Sequence, residues 1–229
     1  MADIIELQAT DLAAMLCSRV CHDLINPIGA IGNGLEVLAD PNQGEMAEGA
    51  RDLIASAAKQ SRAKLEFARL AYGASSTAGT DIDTRECERV ARILFEIEKA
   101  DLEWNVPLIL LPKHKAKLFM NMLLIAAMSV PRGGVVTASI SGEAGNEKFE
   151  FTSRSDPEKR QKTLIPAGSV GLLSGKPEEG AVDARGIQPF YTGLLARMTD
   201  MDINIGIEDA VFIFNAMPKA KEASAELSA

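Results

Sequence analysis

Between residues 17 and 38, Cys17, Cys21, Leu24, Ile28, Ile31, Leu35 and Leu38 recur at alternating spacings of four and three. A helix turns through about 100° per residue, so this rhythm lines all seven along one narrow seam. Such a seam commits the chain to helix-on-helix packing. The helix stops at Asp40-Pro41-Asn42-Gln43-Gly44, a group of turn formers. A second helix follows, with Ala50, Ile54, Ala57, Leu65, Ala68 and Tyr72 on one side. Residues 7–72 therefore read as a helical hairpin whose arms run roughly 40–50 Å at 1.5 Å per residue. Two helices alone cannot cover both flanks of the seam. A second copy completing a four-helix bundle does so, and a homodimer is expected.

One of the chain's two histidines stands on this first helix, in Cys21-His22-Asp23-Leu24-Ile25-Asn26-Pro27-Ile28. With Cys21 at zero on a helical wheel, the seam centres near about −40° and His22 falls near about +100°. His22 therefore points to solvent, among Ser18, Arg19, Asn26, Gly29 and Asn33. Cys17 and Cys21, four apart in the seam, are expected on a buried face. Pro27 has no N–H for the carbonyl of Asp23, which predicts a bend just after the histidine. The Asp23 carboxylate is placed to hold one ring N–H and fix the tautomer. Gly29, Gly32 and Gly34 each cost a helix about 1 kcal/mol relative to alanine. Close approach of another protein's backbone would give them a reason. An outward imidazole of fixed tautomer is a nucleophile suited to phosphoryl transfer, a reaction that needs positioning and charge neutralisation more than covalent machinery. An unreactive surface histidine fits the same spacing, and His114, in Pro112-Lys113-His114-Lys115, reads as one.

After the hairpin, 73–80 (Gly-Ala-Ser-Ser-Thr-Ala-Gly-Thr) is small, polar and uncharged, a linker composition. Helices are predicted over 85–100, 115–129 and 188–198. Strands are predicted over 106–111, 135–141, 148–153, 202–206 and 210–216, with a loop through residue 180. The mixture indicates an α+β chain, with the helical hairpin followed by a two-layer α/β sandwich. Three segments result: a hairpin over 1–74, a sandwich over 81–218 and a polar tail over 219–229.

Net charge is −8 with no dense basic patch, which argues against a nucleic-acid partner. The most apolar run, 118–130, is too short to span a bilayer and contains Asn121. The N-terminal residues are acidic where a signal peptide is basic, and three cysteines without metal-type spacing read as reduced thiols. A cytoplasmic protein without membrane contact is expected.

His22, Asp23, Asn26, Pro27 and Ile28 on the first arm of a hairpin resemble the phosphoacceptor box of histidine kinases. The second half extends the likeness. Asn121-Met122-Leu123-Leu124-Ile125-Ala126-Ala127, followed by Pro131-Arg132-Gly133-Gly134, resembles the asparagine box of the kinase ATPase domain. In that box a second asparagine binds Mg²⁺; here Ile125 stands in its place, and an aliphatic side chain cannot ligate a hard cation. Where the kinases carry Asp-x-Gly-x-Gly, this chain has Ser153-Arg154-Ser155-Asp156-Pro157. Where they carry a glycine-rich phosphate loop, it has Gly186-Ile187-Gln188-Pro189-Phe190-Tyr191-Thr192-Gly193-Leu194, a poor cradle for phosphate.

With the histidine box kept and all three nucleotide boxes broken, the chain is similar over nearly its whole length to the dimeric histidine phosphotransferases of alphaproteobacterial cell-cycle relays. The resemblance implies that His22, assisted by Asp23, takes a phosphoryl group from the receiver-domain aspartate of a hybrid histidine kinase. It then passes the group to response regulators, as in relays of the CckA to CtrA and CpdR type. It implies a homodimer, no cofactor bound by this chain, and Mg²⁺ supplied by the partner's receiver domain. Met15, Ser18, Arg19, Asn26, Gly29 and Asn33 are the candidate partner-binding residues, with Arg19 also placed to steady a phosphoryl oxygen. Two other readings stay open: a divergent ATP-dependent kinase, and a non-catalytic dimeric scaffold or kinase inhibitor.

Overall fold

The computed structural model describes residues 4–73, 81–158 and 162–219. The predicted linker beyond Gly73 and the tail beyond Lys219 lie outside them. Helix α1 (Ala9–Ala39) runs unbroken through Pro27. The chain reverses in a short 3-10 helix (Pro41–Met46) and returns as α2 (Ala47–Ala71). Asp40 closes the reversal, its carboxylate accepting from the Asn42 backbone N–H at 2.9 Å and from Gln43 Nε2 at 2.8 Å. The predicted hairpin is present.

Its packing face differs from the seam. The residues of α1 buried in the hairpin are Pro27 and Gly34. A β-carbon at Gly34 would come within 2.6 Å of Ile54 Cγ1 and 3.1 Å of the Ala50 carbonyl. Buried Ala50, Ala57 and Ala63 present an equally small surface on α2. Small side chains on both faces let the axes approach closely, a property that hydropathy does not weigh. The expectation of buried thiols is therefore corrected within one chain: Cys17 and Cys21 are exposed. Ile25, Ile28, Leu35 and Leu38 are exposed with them. The glycines are corrected in part. Gly34 answers to the chain's own α2, whereas a β-carbon at Gly29 or Gly32 would meet nothing within 4 Å.

A two-stranded ribbon pairs β1 (Ile82–Asp83) with β3 (Leu110–Leu111). Helix α3 (Thr84–Phe95) starts at Asp83, whose carboxylate caps the Arg85 N–H at 2.8 Å. The main sheet contains β2 (Ala100–Asn105), β4 (Gly134–Ser141), β5 (Lys148–Ser155), β6 (Met201–Glu208) and β7 (Val211–Pro218). Their order is β2-β4-β5-β7-β6, with β2 parallel to β4 and the other pairs antiparallel. Register brings Trp104, Ala138, Phe151, Phe214 and Ile205 into one row across the five strands. Helices α4 (Lys113–Met128) and α6 (Ile187–Met198) cover that face. Phe119 of α4 stands against Trp104, Phe149 and Phe151 with ring centroids 5.6, 5.2 and 4.7 Å away. The predicted two-layer sandwich is the observed architecture.

Two predicted elements shift. The helix expected over 85–100 stops at Phe95; within the strand expected over 106–111 the two residues Leu110–Leu111 are strand, and the longer strand lies ahead of it at Ala100–Asn105. Ala100, Leu102 and Trp104 alternate inward there, and Pro107 has no N–H for a ladder. A short helix α5 (Ser169–Ser174) interrupts the predicted loop. It lies so close to α6 that a β-carbon at Gly193 would collide with the Leu173 carbonyl.

The hairpin and the sandwich share one core. Phe67, Leu70 and Ala71 at the end of α2 belong to the same buried cluster as Phe119 and Phe151. Tyr72 meets Tyr191 of α6 edge to face at 6.0 Å. A second cluster joins Leu12, Met15 and Leu16 of α1 to Val182, Ile187 and Phe190. Among the described residues no helix is long and apolar enough to cross a membrane.

Candidate functional site

His22 stands on the solvent side of α1, its side chain 74% exposed, as the wheel requires. Its Nδ1 lies 3.3 Å from Asp23 Oδ1, and Asp23 Oδ2 accepts from Arg19 Nε at 2.9 Å. Arg19, Asp23 and His22 thus form a short chain along one helical turn. Arg19 is the most enclosed of the three, 18% exposed against 31% for Asp23. With Nδ1–H given to the carboxylate, the Nε2 lone pair is left toward solvent. That is the geometry of a nucleophile whose basic nitrogen is free and whose other nitrogen is held.

The remaining predicted residues divide. Ser18, Asn26, Gly29 and Asn33 are exposed on the His22 side of α1. Met15 is half-buried in the small cluster with Ile187 and Phe190, so its side chain packs within its own chain. Arg19 directs its Nε at Asp23. His114 is exposed at the start of α4.

Sequence reasoning did not find the ground behind the histidine. A cavity of about 210 Å³ lies between α1, α2 and the sandwich, lined by Arg19, Asp23, Lys64, Phe67, Tyr72 and Glu98 among others. Lys64 Nζ donates to the Asp23 backbone carbonyl at 3.1 Å. The Tyr72 hydroxyl is buried without a hydrogen-bond partner among the described residues, and burial raises its pKa above the usual phenol range.

Asn121, Ile125, Gln188 and Thr192, from two of the three segments compared with nucleotide boxes, are turned inward, whereas Arg154 of the third is exposed. Asn121 is fully buried; its amide donates to the carbonyls of Ala71 at 3.2 Å and Lys117 at 2.9 Å. Gln188 Nε2 donates to the Asn121 carbonyl at 2.9 Å, and the Thr192 hydroxyl donates to the Gln188 carbonyl at 2.8 Å. Ile125 is buried in the main core. Among the described residues no group of three or more His, Cys, Asp or Glu side chains is placed to hold a metal ion.

Comparison with known proteins assigns the architecture. The family model of the histidine phosphotransferase C-terminal domain matches residues 84–211. Protein phosphotransferase ChpT of Brucella abortus (strain 2308) is 42% identical over 210 residues, covering 91% of this chain and 97% of that protein. The chain belongs to the histidine phosphotransferase family.

A crystallographic neighbour, described as a 1.7 Å structure of a bacterial phosphotransferase, superposes with a TM-score of 0.84 at 41% identity. The match covers 93% of this chain and all of that one. The histidine kinase AdeS of Acinetobacter baumannii superposes more loosely, with a TM-score of 0.44 at 10% identity over 87% of this chain and 98% of that one. Membership in the histidine phosphotransferase family makes the chain a phosphotransferase of a phosphorelay.

Proposed function

We propose that His22 is the phosphoacceptor of this phosphotransferase and that it relays phosphoryl groups between receiver-domain aspartates. The donor is the receiver of a hybrid histidine kinase, and the acceptors are response regulators. The observation that carries this reading is the 74%-exposed imidazole whose Nδ1 faces Asp23.

In the first half-reaction the Nε2 lone pair attacks phosphorus of the donor's aspartyl phosphate. The N–P bond forms as the acyl O–P bond breaks, and the donor aspartate leaves as a carboxylate. Nδ1–H stays with Asp23, so the phosphoimidazole needs no proton to leave before onward transfer. In the second half-reaction a regulator's carboxylate attacks the same phosphorus and Nε2 departs with its electron pair. Mg²⁺ on the incoming receiver neutralises the three phosphoryl oxygens. Nucleotide takes no part in either step. Ser18, Asn26, Gly29 and Asn33 form the stripe along which a receiver's helix lies, and the glycine leaves room for its backbone.

The open seam of α1 supports a homodimer, in which two hairpins form a four-helix bundle and carry two acceptor histidines. The acidic, membrane-free chain fits a cytoplasmic relay.

The test is incubation with a phosphorylated receiver and Mg²⁺, followed by mass-spectrometric location of the modified side chain under non-acidic conditions. Label on His22 is expected, together with its loss in His22→Ala and its retention in His114→Ala. Transfer through His22→Ala at the wild-type rate would overturn the reading.

A further inference from the structure

Pro27 and Lys64 are linked through a single oxygen. In an α-helix the carbonyl of residue 23 accepts from the N–H of residue 27, and a proline has none. That vacancy lies at Asp23, next to the acceptor histidine. A half-buried carbonyl without a donor is destabilising, so it needs a partner from elsewhere. Lys64 of α2 provides it, with Nζ 3.1 Å from the Asp23 oxygen across 41 residues of sequence.

Beyond this bond the lysine acts on Glu98 only through its charge, which opposes the upward push of burial on that carboxyl. It makes no ion pair among the described residues within 4 Å. Glu98 and Arg19, the charged groups that share its cavity with Asp23, leave the carbonyl as its hydrogen-bond partner. A charge-assisted bond of this kind is stronger than the amide bond it replaces. Unlike that bond, it ties α1 to α2. A proline at position 27 thus converts a bond within α1 into a tether between the arms, attached to the residue that orients the imidazole.

We propose that Lys64 is a positioning residue for phosphotransfer, holding the His22–Asp23 turn at a fixed height on the hairpin through the carbonyl that Pro27 leaves open. It acts through Asp23 and does not touch the phosphoryl group. The proposal rests on His22 being the acceptor.

A double-mutant cycle tests it, since Pro27→Ala restores the N–H that Asp23 needs. Single-turnover transfer from a phosphorylated receiver is measured at saturating receiver for wild type, Lys64→Met, Pro27→Ala and the double variant. Lys64→Met is expected to slow transfer about tenfold, as loss of a charge-assisted bond allows, with the receiver's half-saturating concentration little changed. In the Pro27→Ala background the same substitution is expected to slow transfer less than twofold. Lys64→Arg, which keeps a donor, should stay within about threefold of wild type. An equal loss in both backgrounds would overturn the proposal, because Lys64 would then act by charge or by contact with the receiver. If Lys64→Met does not fold, Lys64→Gln makes the same comparison with less loss of polarity. Location of the phosphoryl group in the wild type separates the two layers. Label away from His22 sinks the reading of the acceptor, whereas label on His22 with additive variants sinks only the role of Lys64.

Discussion

Arg19 Nε donates to Asp23 Oδ2 at 2.9 Å one helical turn away, while the other oxygen of the same carboxylate faces His22 Nδ1 at 3.3 Å. One carboxylate therefore bridges a guanidinium and the imidazole, and the guanidinium limits how Asp23 turns. Without Arg19 the carboxylate regains its rotamers and the ring loses a fixed partner. Arg19→Ala is expected to lower the single-turnover transfer rate about three- to tenfold, the range for a partly exposed charged hydrogen bond. Arg19→Lys should recover only part, since an ammonium cannot reproduce the Nε–H direction. Stopped reactions with a labelled receiver measure both. A wild-type rate in Arg19→Ala would remove Arg19 from the site.

Asn121 anchors the sandwich to the end of the hairpin. Its buried amide holds the Ala71 carbonyl in the last turn of α2, a group that a helix end leaves without an internal donor. Asn121→Leu leaves that carbonyl without its donor and is expected to destabilise the fold by about 1–3 kcal/mol. A thermal melt of the variant is expected to show a clear drop in midpoint.

The same commitment bears on nucleotide. An asparagine amide engaged by two backbone carbonyls is not free to face a ligand. Among the described residues, the nearby hollow of about 540 Å³ is lined by the acids Glu178, Glu179 and Asp183 and by the base Arg185, an unfavourable field for a triphosphate. Calorimetric titration with Mg·ATP is expected to release no heat of binding at micromolar nucleotide. Saturable heat there would reinstate the kinase reading.

Acid should weaken the fold at its helix starts and turns. Hydrogen bonds from Asn42 hold Asp40 below its ordinary value, those from Arg85 do the same for Asp83, and Arg89 does so for Glu86. Each is thus more acidic folded than unfolded, so its contribution is complete above the unfolded pKa, about 4, and is lost as pH falls through the folded one. Denaturant midpoints are expected to hold between about pH 6 and 5 and decline toward about pH 3. A rise on acidification would contradict the sign.

The hairpin, the reversal at Asp40 and the outward histidine were legible because each depends on local spacing. The direction in which the seam faces was not. Pro27, Gly34 and the alanines of α2 make the inner contact by being small, whereas hydropathy ranks Ile28 and Leu35 above them. Strand β2 was misplaced because Leu102 and Trp104 alternate with acids over too few residues to outweigh the preceding helix. Pro27 did signal a carbonyl in need of a donor. That the donor is Lys64 depends on the register of two helices, which brings together residues 41 apart in sequence and which no local pattern carries.

That register also leaves a row of apolar groups in water. Ile25 is 67% exposed, Ile28 56% and Leu35 55%, and Leu65 of α2 is 55% exposed. Burying such side chains contributes about 1.5–3 kcal/mol each, enough for a second hairpin to be held at micromolar concentration. Light scattering after gel filtration is expected to give twice the 24.5 kDa of one chain, and Ile28→Glu to give one. The thiols report the same event from within the seam. In the dimer Cys17 and Cys21 should react slowly with a maleimide and become fast on dilution or in Ile28→Glu. Cys87 is buried and its thiol pushed up to about 12, so it should stay unlabelled until the chain unfolds. Rapid modification of Cys17 and Cys21 at every protein concentration, with a monomer mass, would mean that the seam is covered by something other than a second copy.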